Sequence, residues 1–185
     1  MESKTADVYE CGKLIGICGA AGSGKTTASH HLISRGWVNE KMAGALKLMA
    51  GTLLGQLGLD VNSCLEGDMK ETCISELGGK SPRHVMQTLG TEWGRECMHH
   101  DFWVDITKVK IQNLLNEGIN VVVDDIRFDN EAEMIKSLGG ELIKIERGAI
   151  STMTHISENP LSCDVVFIND GSIDSLHNFI DVLVE

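Results

Sequence analysis

Lys13-Leu14-Ile15-Gly16-Ile17-Cys18 runs directly into Gly19-Ala20-Ala21-Gly22-Ser23-Gly24-Lys25-Thr26. The first six residues form a short apolar run ending at glycine, which suits a strand buried in a parallel sheet. The next eight match G-x-x-x-x-G-K-[ST] in full. Thr26–Arg35 then reads as a helix closed by Gly36. Glycines at these positions let backbone N–H groups curl around phosphate oxygens, and the following helix points its positive end at them. Lys25 has the reach for β- and γ-phosphates, and the Thr26 hydroxyl suits Mg2+. The expectation is a nucleoside triphosphate site, for ATP with Mg2+, formed by Gly19, Ala20, Ala21, Gly22, Ser23, Gly24, Lys25, Thr26 and Thr27.

The periodicities downstream alternate in kind. Ala43 to about Leu57 has apolar residues at helical spacing, whereas Asp60–Gly79 is less regular and is expected to be mobile or peripheral. Ser81-Pro82 opens a helix with serine as its cap and proline at its first position. Gly90 and Gly94 interrupt its pattern, which predicts a bend or break. Asp101 caps a further helix that Gly118 ends. Ile119–Val123, Glu141–Glu146 and Cys163–Asn169 read as strands, Asn130–Leu138 and Ser172–Val184 as helices. Four strands alternating with helices predict a three-layer α/β fold around a mostly parallel sheet flanked by helices.

The chain has 185 residues, the length of one ordinary domain, and 16 basic against 27 acidic side chains give a net charge of −11. Such a chain is not built to coat polymeric nucleic acid, which needs a basic surface. No apolar run approaches the ~20 residues that span a bilayer, and the N-terminus has no signal-peptide core, so no membrane and a cytoplasmic setting are expected. The six cysteines lack any C-x-x-C pair, which argues against zinc and reads as reduced, mostly buried thiols. The pairs His30-His31 and His99-His100 read as surface or cap residues, since neighbours on a helix face different ways.

Scarce cations become informative by their placement. Arg83 lies in the first turn of a helix and Arg95 follows Gly94, while Arg127 and Arg147 lie just past strand ends, where open α/β sheets bind ligands. Guanidinium grips phosphate through two parallel hydrogen bonds. Asp124 and Asp125 close the Val121–Val123 run, and one of them is expected near Mg2+. Alternation along the strand prevents both from facing the site.

Several ordered segments resemble the bacteriophage-type deoxynucleoside monophosphate kinases. They are the glycine-rich loop; Met42-Ala43-Gly44-Ala45-Leu46-Lys47; Ser81-Pro82-Arg83-His84-Val85-Met86-Gln87-Thr88-Leu89-Gly90-Thr91-Glu92-Trp93-Gly94-Arg95; Asp101-Phe102-Trp103; Asp125-Ile126-Arg127-Phe128-Asp129-Asn130-Glu131; and His155-Ile156-Ser157-Glu158. The resemblance implies a nucleoside-monophosphate-kinase-like fold that transfers the ATP γ-phosphate to a deoxynucleoside 5′-monophosphate. It implies one domain over 1–185, with an acceptor-binding helical region at about 40–100 and a lid at about 147–161. Ala43, Leu46 and Lys47 then belong to the acceptor pocket. Arg83 and Arg95 meet the acceptor phosphate, Gln87 contacts the base, and Trp93 stacks on or walls off that base. Arg127 faces phosphate beside the strand-end aspartate, and Arg147 meets the triphosphate or adenine. Lys25, Arg95, Arg127 and Asp125 form the expected catalytic set, with Thr26, Asp124 and Asp125 toward the metal. Met42 and Gly44-Ala45 depart from the family's phenylalanine and Asp-Pro. Rival readings are another small-molecule kinase, such as one acting on a coenzyme precursor, and an ATP-binding regulatory module without phosphotransfer. A homodimer stays open as an assembly.

Overall fold

The computed structural model describes residues 11–147 and 161–185, which group into two compact units. One comprises the described residues up to Lys41 and from Lys108 onward; the other is Met42–Thr107. Residues 148–160, with His155 and Glu158, lie outside the described part, and so does all but the ends of the expected lid.

The first unit is a five-stranded parallel sheet with helices. Its strands are β1 (Leu14–Cys18), β2 (Val38–Glu40), β3 (Val121–Val123), β4 (Glu141–Glu146) and β5 (Val165–Ile168), in the order β2-β3-β1-β4-β5. All four strand pairings are parallel, as the alternation of strands and helices predicts. Of the five, β2 is the strand that periodicity misses. Three residues, Val-Asn-Glu, are too few and too polar to show a period, and only pairing with β3 reveals them.

Alternation along the strands divides the core. Ile15, Ile17, Val122, Ile143 and Ile145 pack with Ala28 and Leu32 of α1 (Lys25–Ser34), with Trp37, and with Leu176 and Ile180 of α7 (Ile173–Val184). On the opposite face Gly16 lies against Leu142 and against Ile135 of α6 (Asp129–Ser137). Burying each such aliphatic side chain stabilises the fold by about 1.5–3 kcal/mol. The result is a three-layer α/β arrangement whose strand ends all point the same way. No helix among the described residues is long and apolar enough to cross a membrane.

The second unit is helical. It contains α2 (Gly44–Gln56), α3 (Val61–Leu65), 3-10 turns at Asp68–Glu71 and Ser75–Leu77, α4 (Pro82–Thr88), a π-helix at Leu89–Met98 and the start of α5 (Phe102–Asn116). Ser81 caps α4 by accepting from His84 N, with Pro82 at the first position. Irregular sequence between 60 and 79 does not leave that segment peripheral. Cys64, Leu65 and Ile74 are buried with Ala50, Leu54 and Met86 in this unit's core. Nor does the chain break at Gly90 and Gly94. It continues as a π-helix, because the Trp103 indole occupies the space beside Gly94: a Cβ there would lie 2.3 Å from Nε1, which donates to Gly90 O at 2.9 Å.

Candidate active site

The phosphate loop spans the turn from β1 to α1. Gly19 has φ +140°, and a side chain there would put Cβ 2.2 Å from Ile145 O on β4. Gly24, at φ +114°, caps α1, and its Cβ would meet Asn169 Nδ2 at 2.5 Å. Both positions therefore disfavour any other residue on conformation, and Gly19 excludes one on space as well, since the atom it meets is backbone. No side chain caps α1 and no acid lies in its first turn, so its leading amides face outward as an anion site requires. Asn169, at the end of β5, donates through Nδ2 to Ser23 O at 2.7 Å, and its own amide donates to Glu146 O at 2.6 Å. This residue pins the loop from the far edge of the sheet. The buried Ser23 hydroxyl has no hydrogen-bond partner among the described residues. An orphaned hydroxyl inside a ring of turning glycines fits a loop shaped for a polyphosphate.

Lys25 Nζ folds over this loop and donates to Gly19 O at 2.8 Å and Ala20 O at 2.7 Å. Burial lowers its pKa, as does the nearby Arg127 guanidinium, against the opposing charges of Asp124 and Cys18. Arg147 reaches the same loop, donating from Nη1 to Gly22 O at 3.3 Å. Lys25, Arg127, Arg147 and Asp124 are thus gathered around one turn.

Asp124 follows β3 and is buried, with its side chain 3% exposed. Its Oδ2 accepts from Ser29 Oγ at 2.6 Å and from Asn39 Nδ2 at 3.4 Å, and its Oδ1 pairs with Lys41. Burial pushes its pKa up, but these bonds, Lys41 foremost, bring it below the ordinary carboxylate value. It is ionised at neutral pH. Asp125 is half-buried. Glu131 in the first turn of α6, itself buried, accepts from the backbone amides of Arg127 (2.7 Å) and Phe128 (3.1 Å), which fixes the preceding turn while the Arg127 side chain stays exposed.

Within the helical unit, Ala43 and Leu46 are half-buried around the start of α2, and Lys47 pairs with Glu66. Arg83 Nη1 bonds Glu71 at 2.9 Å, while Gln87, one turn on, is exposed. Arg95 lies half-buried in the π-helix. Trp93 packs edge-on against Phe102 with centroids 5.3 Å apart and lies 6.1 Å from Trp103, so it belongs to an aromatic cluster.

Sequence reading misses Ser29, Asn39, Lys41 and Asn169. The signal for Lys41 exists once β2 is known, because the pairing Glu40↔Val123 sets Lys41 level with Asp124. Two other expectations need correction. His31 is half-buried in the last turn of α1 rather than free on the surface: Nε2 lies 2.6 Å from Asp181 Oδ1, and its ring stacks on His177 at 4.0 Å. The thiols are also less buried than expected, for Cys11, Cys73 and Cys97 are exposed and only Cys18 and Cys64 are buried.

Known proteins bear on this geometry. Among solved structures, TT1252 of Thermus thermophilus aligns over 94% of this chain and 97% of its own, with 17% identity and a TM-score of 0.55. The dephospho-CoA kinase of Campylobacter jejuni aligns over 93% and 95%, with 14% identity and a TM-score of 0.50. At that identity the likeness concerns the fold. Sequence relatives say more. A "Putative deoxynucleotide monophosphate kinase" of Acanthamoeba polyphaga mimivirus is 36% identical over 180 residues, covering 89% of this chain and 92% of the relative. The "Deoxynucleoside-5'-monophosphate kinase" of Escherichia phage T5 is 37% identical over 57 residues, which is 30% of this chain and 22% of the phage protein. Residues 60–180 match the family model described as deoxynucleotide monophosphate kinase. A phosphate loop at the end of β1, a buried carboxylate at the end of β3 and kinship along nearly the whole sequence agree: this chain belongs to the deoxynucleotide monophosphate kinase family.

Proposed function

We propose that the protein transfers the γ-phosphate of ATP to the 5′-phosphate of a deoxynucleoside monophosphate, giving the diphosphate. The observation that carries this reading is the complete phosphate loop, with Lys25 folded over it and Asn169 pinning it, in a chain of this family. The loop amides and Lys25 hold the triphosphate of ATP, Arg147 adds charge at the Gly22 side, and Arg127 faces the transferring group. Thr26, with Asp124 or Asp125, would hold Mg2+, which would supply neutralisation of phosphate charge. The partners of Asp124 keep it ionised.

Arg83 and Arg95 bind the acceptor phosphate, with Lys47, Ala43 and Leu46 lining the same pocket and Gln87 and Trp93 meeting the base. An acceptor phosphate is already anionic at neutral pH, so the chain needs no strong general base. Its residues align the two phosphates and offset their repulsion.

The test is ADP release from ATP and Mg2+ with each deoxynucleoside monophosphate in turn, beside ribonucleotides and coenzyme precursors. ADP release dependent on a deoxynucleoside monophosphate is expected. Release only with a coenzyme precursor, or ATP binding with no acceptor-dependent release, overturns the reading. Arg95→Ala should reduce turnover by about 10³-fold while ATP affinity stays within about two-fold. Unchanged turnover would remove Arg95 from the acceptor site.

A further inference from the structure

Two cysteines meet beside the phosphate loop without entering its chemistry. Cys18 is the last residue of β1, directly before Gly19, and Cys163 lies two residues before β5. They are 145 positions apart in sequence, yet their sulfurs are 3.3 Å apart. The two strands concerned are not neighbours, since β4 runs between them. The chain entering β5 is fixed alongside β4 by the bonds Asp164 N to Leu142 O and Leu142 N to Asp164 Oδ2, both 2.8 Å, and from that anchored stretch the Cys163 side chain meets Cys18. The contact is therefore specified by the fold.

The surroundings distinguish the two thiols. Cys18 is buried and Cys163 half-exposed, with its thiol also donating to Leu161 O at 3.3 Å. Burial pushes Cys18 up to about 12, and the hydrogen bond and charge of Cys163 add to that, while Lys144 and Lys25 oppose it. Lys144 is level with Cys18 in the β1–β4 register, and its charge acts on both sulfurs.

The geometry points to a reversible modification site, in which Cys18 and Cys163 close to a disulfide by exchange with a low-molecular-weight disulfide and so weaken triphosphate binding. In the first step the Cys163 thiolate, the accessible one, attacks one sulfur of RS–SR. A mixed disulfide forms, and RS⁻ leaves and is protonated by water. Capping Cys163 removes the hydrogen bond and charge that help keep Cys18 protonated. Cys18 then loses its proton to solvent and attacks the Cys163 sulfur, expelling a second RS⁻. Two protein thiols have given up two electrons and two protons, and RS–SR has become two RSH.

Closure brings the sulfurs to about 2.05 Å, more than an ångström nearer than the thiols stand. The Cys18 side has little room to yield, because the next residue, Gly19, is pressed against Ile145 O. On the Cys163 side the chain continues into β5 and ends at Asn169, which holds Ser23 O. The bond therefore draws on both strands that support the loop.

The effect on affinity rests on the ATP-binding part of the proposed function; the bond itself does not. Full-length protein is incubated with oxidised glutathione, then subjected to thiol titration, peptide mass mapping and calorimetric ATP titration. Two of the six thiols should disappear into one Cys18–Cys163 peptide pair. ATP affinity should fall about ten-fold or more and return on adding dithiothreitol. Cys163→Ser should bind ATP normally and keep that affinity after oxidant, and a variant with Cys11, Cys73 and Cys97 all changed to Ser should still respond. Glutathione found only on the exposed cysteines, with Cys18 and Cys163 both free, overturns the site. A Cys18–Cys163 bond that leaves affinity unchanged overturns its effect on the loop. Failure of the reduced protein to bind ATP would count against the proposed function and leave the mapped bond standing.

Discussion

The two units hold the cations proposed to meet phosphate in different ways. In the α/β unit Lys25 is tied to two backbone carbonyls of the loop it serves, and burial keeps it partly desolvated. In the helical unit Lys47 and Arg83 are tied to Glu66 and Glu71, carboxylates that are 62% and 65% exposed. Backbone carbonyls arrive with the turn, so the donor-side lysine is positioned by the same geometry that makes the loop. Surface carboxylates are optional partners, and pairs of this kind contribute about 0–1 kcal/mol. A phosphate can displace them at little cost. On the proposed reading, the donor side is thus built before its ligand arrives, and the acceptor side exchanges one anion for another.

The sharpest way to break this contrast is at Lys25. Lys25→Met keeps the stem and removes the charge, and kcat should fall by about 10³-fold or more with the fold unchanged by circular dichroism. A loss under ten-fold would mean that the loop amides neutralise the phosphates by themselves. Preorganisation of the lysine would then have no functional weight.

Asp124 extends the same logic to a buried anion. Its folded pKa lies below the unfolded value of about 3.9, so its contribution is present above that pH and is lost as pH falls through the lower folded value. Asp124→Asn should therefore cost stability at pH 7, about 1–3 kcal/mol given that its Lys41 partner is 42% exposed. Denaturant unfolding should show the gap between variant and parent narrowing below pH ~4. A gap independent of pH would mean that lost packing, not the charge network, carries the effect. Turnover should fall about 10–100-fold, less than for Lys25, since the aspartate acts at one remove from the phosphates.

What the sequence reveals follows the same division. The β1–loop–α1 unit is legible because its requirements are local: an apolar run, glycines where φ must be positive, and a lysine at fixed spacing. Asp124 is legible for a similar reason, at the end of Val121–Val123. Its partners are not. Ser29 comes from α1, Asn39 from a three-residue strand that shows no period and Lys41 from just beyond it, and they meet Asp124 only through helix packing and sheet pairing. Asn169 is hidden likewise, because its bond to Ser23 spans 146 positions. In the helical unit, segment 60–79 looks loose because its buried residues, Cys64, Leu65 and Ile74, fall on short helical pieces and a bridge rather than on one long period. Gly94 reads as a helix breaker, yet it is there to admit the Trp103 indole. Local rules see the loop; only packing explains the helical unit.

The gentlest test of the contrast lies at Glu71. Its bond to Arg83 is made between side chains 65% and 50% exposed, on the first turn of α4 and the end of a 3-10 turn. Glu71→Gln keeps the shape and a hydrogen-bond acceptor but removes the charge that competes with an incoming phosphate. Stability should change by less than ~0.5 kcal/mol. If Arg83 must leave Glu71 to bind the acceptor, KM for the deoxynucleoside monophosphate should fall about two-fold with kcat unchanged, because ground-state and transition-state binding gain equally. Added salt should shrink the difference between variant and parent, since it screens the competing pair. A rise in KM would mean that Glu71 holds Arg83 in its working position, which would make the acceptor side as preorganised as the donor side.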